Sequence, residues 1–448
     1  MAVPACRDGH DFPLQVIEVV DMNLRAYLVF VLLPALAVAG AGPEQLSPAQ
    51  EKIQAAQAAI EKTPDKHQPY NDQAVALARR ARETADLTYC QQAQDALDQS
   101  LRLAPNNPEG ERAQILVLLC RQEYAEALEK ARVLNRRAPD DVATWGYIAE
   151  AASALGDYDQ AEKAAQWMLD LRPGNVPGLL CGAALRKIYG ENEGALEFLS
   201  QAYRETPPFQ TEDVAWILSR MADLQLMAGK VDLAAQALDQ SLTVFPGYYL
   251  ALEGLARVRS AQGQHAKAVN LLRERNQVSP SPASLYALAE ALERAGKPDE
   301  AKRAYAEFEL RARRLIEQPY NANRELVLYD ADHPANATEA LRIARLEIAR
   351  RHDVYTVDAY AWALYANRAY TDARTQIDQA LSVGIRDAAL FYHAGAIAAK
   401  QKEPAAAARY LRQSLELNPL SEYAAAARET LHRLEGTSPL AAARRSEQ

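Results

Sequence analysis

Small and apolar residues recur along this chain at a fixed long period. Ala93, Ala127, Ala161, Ala195, Ala234, Ala268, Ala301, Ala340, Ala373 and Ala407 are separated by 34, 34, 34, 39, 34, 33, 39, 33 and 34 residues. Pro105, Pro139, Pro173, Pro207, Pro246, Pro280 and Pro419 each stand twelve residues after one of these alanines. The unit Val142–Asn175 shows the pattern within the period. Trp145, Ile148, Ala149 and Ala152 precede Gly156-Asp157, and Tyr158, Ala161 and Ala165 follow it, ending at Pro173. Apolar residues at helical spacing on both sides of a glycine turn predict two helices per unit. Small residues at unit positions 8 and 20 let the pair approach closely. Bulky residues at positions 4 and 7 fill the space between units, and proline at position 32 stops the second helix.

The period is sustained over ten units and resembles the tetratricopeptide repeat, W-x2-L-G-x2-Y followed by A, F, A and P over 34 residues. The resemblance covers about residues 70–421. It implies an all-α solenoid of about ten helix-turn-helix repeats in a right-handed superhelix, in which each unit touches its neighbours. The segments NRELVLYDADH (323–333), VYTVDAYAWALY (354–365), RDAALFYHAG (386–395) and PYNDQAVALARRARETADLTYCQQAQDAL (69–97) are similar to a class of exported bacterial proteins with this repeat. That likeness implies an envelope or secreted protein without an assigned activity.

The expected organisation runs from a leader at 1–21 and an export signal at 22–41 to a capping helix region at 45–68. The solenoid follows at 69–421, then a capping helix at 420–434 and a disordered tail at 436–448. Several units depart from the pattern. Gln114 stands at position 7 of the second unit, and Gly182 and Arg186 at positions 7 and 11 of the fourth, which predicts weaker packing there. In the eighth, Asp332-His333-Pro334 is expected to interrupt the first helix. The two 39-residue steps predict loosened turns near Phe209–Asp213 and Ile316–Asn321.

Residues 26–43, AYLVFVLLPALAVAGAGP, carry no charge and follow Arg25. A basic start, an apolar run and small residues at the end predict a cleaved secretory signal, and an uncleaved anchor is the competing reading. Residues 1–21 hold Asp8, Asp11, Glu18 and Asp21 against Arg7, the wrong sign for such a leader, so translation is expected to start at Met22. The protein is therefore expected in the periplasm or outside the cell, with no stable membrane insertion. The 448 residues hold 50 basic and 59 acidic side chains, a net charge of -9, which disfavours nucleic acid as a partner.

Of the four cysteines, Cys90 begins the second helix of unit one and Cys120 ends the first helix of unit two. Antiparallel neighbouring helices would bring them together, so a Cys90–Cys120 disulfide is expected in an oxidising compartment, with two reduced thiols as the alternative.

No phosphate loop, zinc motif or nucleophile elbow is present, and neither catalysis, a cofactor nor a metal is expected. In the repeat family the concave groove is lined through positions 2, 5, 9, 12 and 13 of the first helices. That rule selects Tyr355, Asp358, Trp362 and Tyr365 in unit nine, Glu325, Tyr329, Asp332 and His333 in unit eight, and Tyr392 in unit ten. Inter-helix packing uses the same spacing, but carboxylates fit a core poorly. Aromatic anchors beside acids suit a protein or extended peptide, and a polysaccharide is the second ligand class. The sequence thus reads as a non-enzymatic interaction scaffold. The alternative is a part of a pilus or exopolysaccharide assembly machine. A third reading, an enzyme, requires Asp358, Asp332 and a histidine in one constellation.

Overall fold

The computed structural model describes residues 46–318, 321, 323–419, 421 and 423–436, which belong to one compact unit beginning at Leu46. The expected leader, export signal and disordered tail lie outside the described residues, apart from Gly436. Among the described residues there are 22 α-helices and no strand, and no helix is long and apolar enough to cross a membrane.

The first helix, α1 (Pro48–Lys62), starts with a capping box at Ser47. The solenoid then runs from α2 (Gln68–Thr84) and α3 (Thr88–Leu103) to α20 (Ala388–Lys400) and α21 (Pro404–Leu417), and α22 (Ala424–Gly436) follows. The period works through a repeated chemical sequence. Pro105, Pro139 and Pro173 follow second helices, and two residues later Asn107, Asp141 and Asn175 cap the next first helix with their side chains. Asp353 and Asp387 cap in the same way. First helices are mostly 13 residues long, such as α6 (Val142–Ala154) and α8 (Val176–Ile188), and second helices mostly 14, such as α7 (Tyr158–Leu171) and α9 (Asn192–Glu205). The turn between them passes through one left-handed residue, Gly156 or Gly190 for example, and Gln122, Arg368 and Lys402 take that conformation without being glycine.

Three sequence expectations are corrected. The 39-residue step near Phe209 is not a loosened turn. It lengthens α10 (Thr211–Met227) to 17 residues, and its added N-terminal turn carries Glu212 and Asp213. Asp332-His333-Pro334 does not interrupt a helix. It ends α16 (Asn323–Asp332) and leads through a short 3-10 turn into α17 (Ala337–Ile348). Gly182 does not loosen the fourth unit, because a Cβ there would lie 3.3 Å from the Phe198 ring, so the missing side chain makes room for Phe198. The other 39-residue step extends α15 (Pro298–Arg313) and the segment after it. Cys90 and Cys120 have Cα atoms 5.6 Å apart and their sulfurs are joined.

The stack does not only touch its neighbours. Arg79 and Arg82 of α2 pair with Glu212 and Asp213 of α10, at 2.7 Å for Arg79 and Asp213. Glu212 is fully buried and also accepts a 3.1 Å bond from the Tyr248 hydroxyl. Further along, the His352 N–H donates to the Ala154 carbonyl at 3.1 Å, and the Val354 N–H donates to the Tyr158 hydroxyl at 2.9 Å. One apolar cluster therefore joins Ile148, Ala152 and Leu185 to Val357, of α18 (Val354–Ala366), and to Ile385 and Leu390. The third and fourth units are packed against the ninth and tenth, and first helices face a common interior.

Candidate functional site

The nine residues selected from the sequence fall into three groups. The largest gathers Asp332, Asp358, Trp362, Tyr365 and Tyr392. Trp362 is buried between the Tyr365 ring, stacked at 4.5 Å, and the His393 ring at 4.2 Å. Its indole N–H donates to Asp332 Oδ1 at 2.8 Å. Asp358 is buried and accepts from His393 Nδ1 at 2.8 Å. Tyr392 stacks on Tyr423 at 4.5 Å, with burial raising its hydroxyl to about 12. Asp358 fits this interior because His393 supplies a donor, whereas Asp332 lies at its exposed edge. Burial pulls the His393 pKa down, but the Asp358 charge and hydrogen bond outweigh it, and the net direction is up.

Tyr329 and His333 form a second group. Tyr329 packs on Tyr305 and Phe308, and His333 lies against its ring at 4.3 Å with Nδ1 2.6 Å from the Tyr329 carbonyl. Glu325 and Tyr355 form the third, joined through Arg324. That guanidinium pairs with Glu325 at 3.2 Å and lies 5.6 Å from the Tyr355 ring centre. Burial works against the Glu325 carboxylate, yet Arg324 and Arg351 hold its pKa below the ordinary value.

Asp358 and His393 thus meet, and Asp332 is one indole ring away. Among the described residues no group of three or more His, Cys, Asp or Glu is placed to hold a metal. His333 Nδ1 lies at the Tyr329 carbonyl and His393 Nδ1 at Asp358.

The interior also contains charges that the groove rule passed over. Glu150 on α6 touches water, yet the surrounding protein raises its carboxyl pKa, with Arg82 across from it. Burial lowers the Lys187 ammonium, which faces Asp223, Arg220, Arg257 and Asp387. Arg257 bonds Asp223. Burial, with Glu150 nearby, raises the Cys181 thiol to about 12, so it is no ready nucleophile. Lys187 stands at unit position 12 and Glu150 and Arg257 at position 9, positions that the groove rule includes. The basic residues at the end of α15 would complement its helix dipole. Arg313 in fact bonds buried Asp330 at 2.9 Å.

The tetratricopeptide repeat family model matches residues 219–280 and 359–422. The repeats are tetratricopeptide repeats. Among curated proteins no relative matches the sequence. Among solved structures, the chain is similar to the human IFIT1 dimer with PPP-AAAA, at 12% identity over 83% of this chain and 95% of that one, TM-score 0.45. It is also similar to PilW, a widely conserved type IV pilus biogenesis factor, at 16% identity over 45% and 92%, TM-score 0.40. A third likeness is to a tetratricopeptide repeat protein from Parabacteroides merdae, at 18% identity over 58% and 98%, TM-score 0.35. Each is too distant to say what this chain binds. Tetratricopeptide repeat proteins are generally non-enzymatic scaffolds that bind proteins or peptides.

Proposed function

We propose that the protein is a non-enzymatic scaffold of the bacterial envelope or secreted space that holds a protein or extended peptide against the inner faces of its first helices. One observation carries this reading: Glu150, Lys187, Asp223, Arg257, Glu325 and Tyr355, from six different first helices, turn charge and aromatic surface toward one interior. Charges of both signs in a partly dehydrated interior favour a partner with a complementary pattern and disfavour others. In the aromatic group, Trp362 and Asp358 set the positions of their neighbours, while Asp332, and His333 beside it, lie at the exposed edge.

The test is cross-linking in cells with a tagged full chain, comparing wild type with Glu150→Lys and Lys187→Glu variants whose melting is unchanged. A protein captured by wild type and lost from both variants supports the interior as the binding face. Capture of the same protein by all three removes it. Fractionation of the same cells tests the envelope or secreted location: recovery in the cytoplasm alone overturns it.

A further inference from the structure

A second surface, on a face of α2 other than the one carrying Arg79 and Arg82, is a cleft of about 600 Å³ between α1, α2 and α3. Its chemistry is unusual in one respect: most of its polar lining is neutral amide. Gln50, Gln54 and Gln57 line it from α1, Gln73 from α2, and Gln92 and Gln99 from α3. Spacings of three, four and seven residues put each set on one helix face, so two rows of amides look across at each other.

The charged residues in the cleft are already engaged. Arg80 donates to the Ser47 hydroxyl and to Glu83, both at 3.0 Å, and Asp95 accepts from Gln91. Gln50 and Gln99 give their carbonyls to Ser47 and Arg102. Among the described residues Gln54, Gln57, Gln73 and Gln92 make no side-chain hydrogen bond, so four complete amides remain.

A primary amide offers two donors and an acceptor and can meet a peptide group on both its N–H and its C=O. We propose that this cleft binds an extended polypeptide through its main chain, with little regard for side-chain charge. The distance from Tyr89 to Gln99 along α3 is about 15 Å. That accommodates about four or five residues at ~3.3 Å each. A glycan would also meet amides, but it stacks its sugars on open aromatic faces. Here the Arg80 guanidinium lies 6.0 Å from the Tyr89 ring centre, and the Tyr70 hydroxyl is held by the Pro64 carbonyl. The inference is independent of the interior surface, since the two sets of residues share no side chain.

The experiment is fluorescence anisotropy of the full chain with a labelled nonapeptide of alternating serine and alanine. A copy N-methylated at every second residue and a Gln54→Leu/Gln92→Leu variant are run beside it. Both glutamines are exposed, and an unchanged melting temperature shows that the variant is folded. Main-chain recognition predicts saturable binding that weakens about tenfold or more with either change. It also predicts an effect of less than about threefold when alanines are replaced by glutamate or lysine. No saturable binding, equal binding of the N-methylated peptide, or displacement by cellohexaose at lower concentration than by unlabelled peptide overturns the proposal. Glu150→Lys should leave this binding unchanged, which separates it from failure of the interior reading.

Discussion

The packing of the third and fourth repeats against the ninth and tenth can be tested with five equivalent glycines. Gly156, Gly190, Gly229, Gly263 and Gly296 occupy the same turn in successive repeats, with φ between +70° and +76°. Alanine at any of them adopts a left-handed backbone at a cost of about 1 kcal/mol. The stiffer unfolded chain offsets ~0.4–1 kcal/mol of this. At Gly229, Gly263 and Gly296 an added Cβ meets nothing within 4 Å, so the net loss should stay below about 1 kcal/mol. At Gly156 the Cβ would lie 2.6 Å from the His352 carbonyl oxygen, and at Gly190 2.5 Å from that of Gly384. Both are backbone atoms that move only if the repeats separate.

Separation at Gly156 threatens the His352–Ala154 and Val354–Tyr158 hydrogen bonds. Leaving a buried polar group unpaired costs about 1–3 kcal/mol. Gly156→Ala should therefore lose about 3–5 kcal/mol, several times the loss at Gly229. Repeat proteins need not unfold in one step, so urea unfolding followed by circular dichroism should be paired with hydrogen exchange at the Val354 amide. Protection at Val354 should fall in Gly156→Ala and persist in Gly229→Ala. Equal losses at all five positions, within about 0.5 kcal/mol, would refute the closure.

At the other long-range contact, Glu212→Leu should cost about 2–3 kcal/mol, since it leaves the buried Tyr248 hydroxyl unpaired and half-exposed Arg82 with Asp213 alone, while part-buried Asp213→Ala should cost under about 1 kcal/mol. The reverse order in urea midpoints would show that the buried carboxylate does not organise the contact. Thiol labelling in denaturant without reductant should modify Cys181 and spare Cys90 and Cys120, as read by peptide mapping; labelling of all three removes the bridge. With its ends 30 residues apart in sequence, the bridge should contribute roughly 3–4 kcal/mol by loop entropy. The folded pKa of His393 is raised, so its ion pair with Asp358 stabilises fully below about pH 6.5 and is lost as pH rises through the folded value. The melting difference between wild type and His393→Gln should shrink from acid to alkaline pH, and a constant difference contradicts the assignment.

The helices were legible in the sequence because the repeats' signals are local: an alanine in every unit where the helices cross, and in seven of the ten a proline twelve residues later. The contacts between distant repeats were not. Arg79 and Asp213 are 134 residues apart, Tyr158 and Val354 196, and no periodic signal relates them. The inserted residues near Phe209 carried a partial signal, since Thr-Glu-Asp opens a helix well and the acids suit its N-terminus. The aromatic groove residues were found by spacing, but spacing does not tell a side chain's partner. His393 stands at position 6 and so escaped the groove rule, although it is what makes a buried Asp358 tolerable.

The closure changes how the scaffold must work. In an open solenoid each repeat contributes its own stability and that of its neighbouring interfaces, so distant repeats are energetically independent. Here α2 is tied to α10, and the third and fourth repeats are tied to the ninth and tenth. A change in curvature in the middle of the stack therefore strains both long-range contacts. A partner that enters the interior either fits between them or opens one of them. If it opens one, its affinity is reduced by the free energy of opening, and weakening the contact must tighten binding by the same factor. The glycine and Glu212 variants thus measure more than stability: in the partner-capture experiment, tighter binding by a closure-weakened chain identifies entry by opening, and unchanged binding identifies entry between intact contacts.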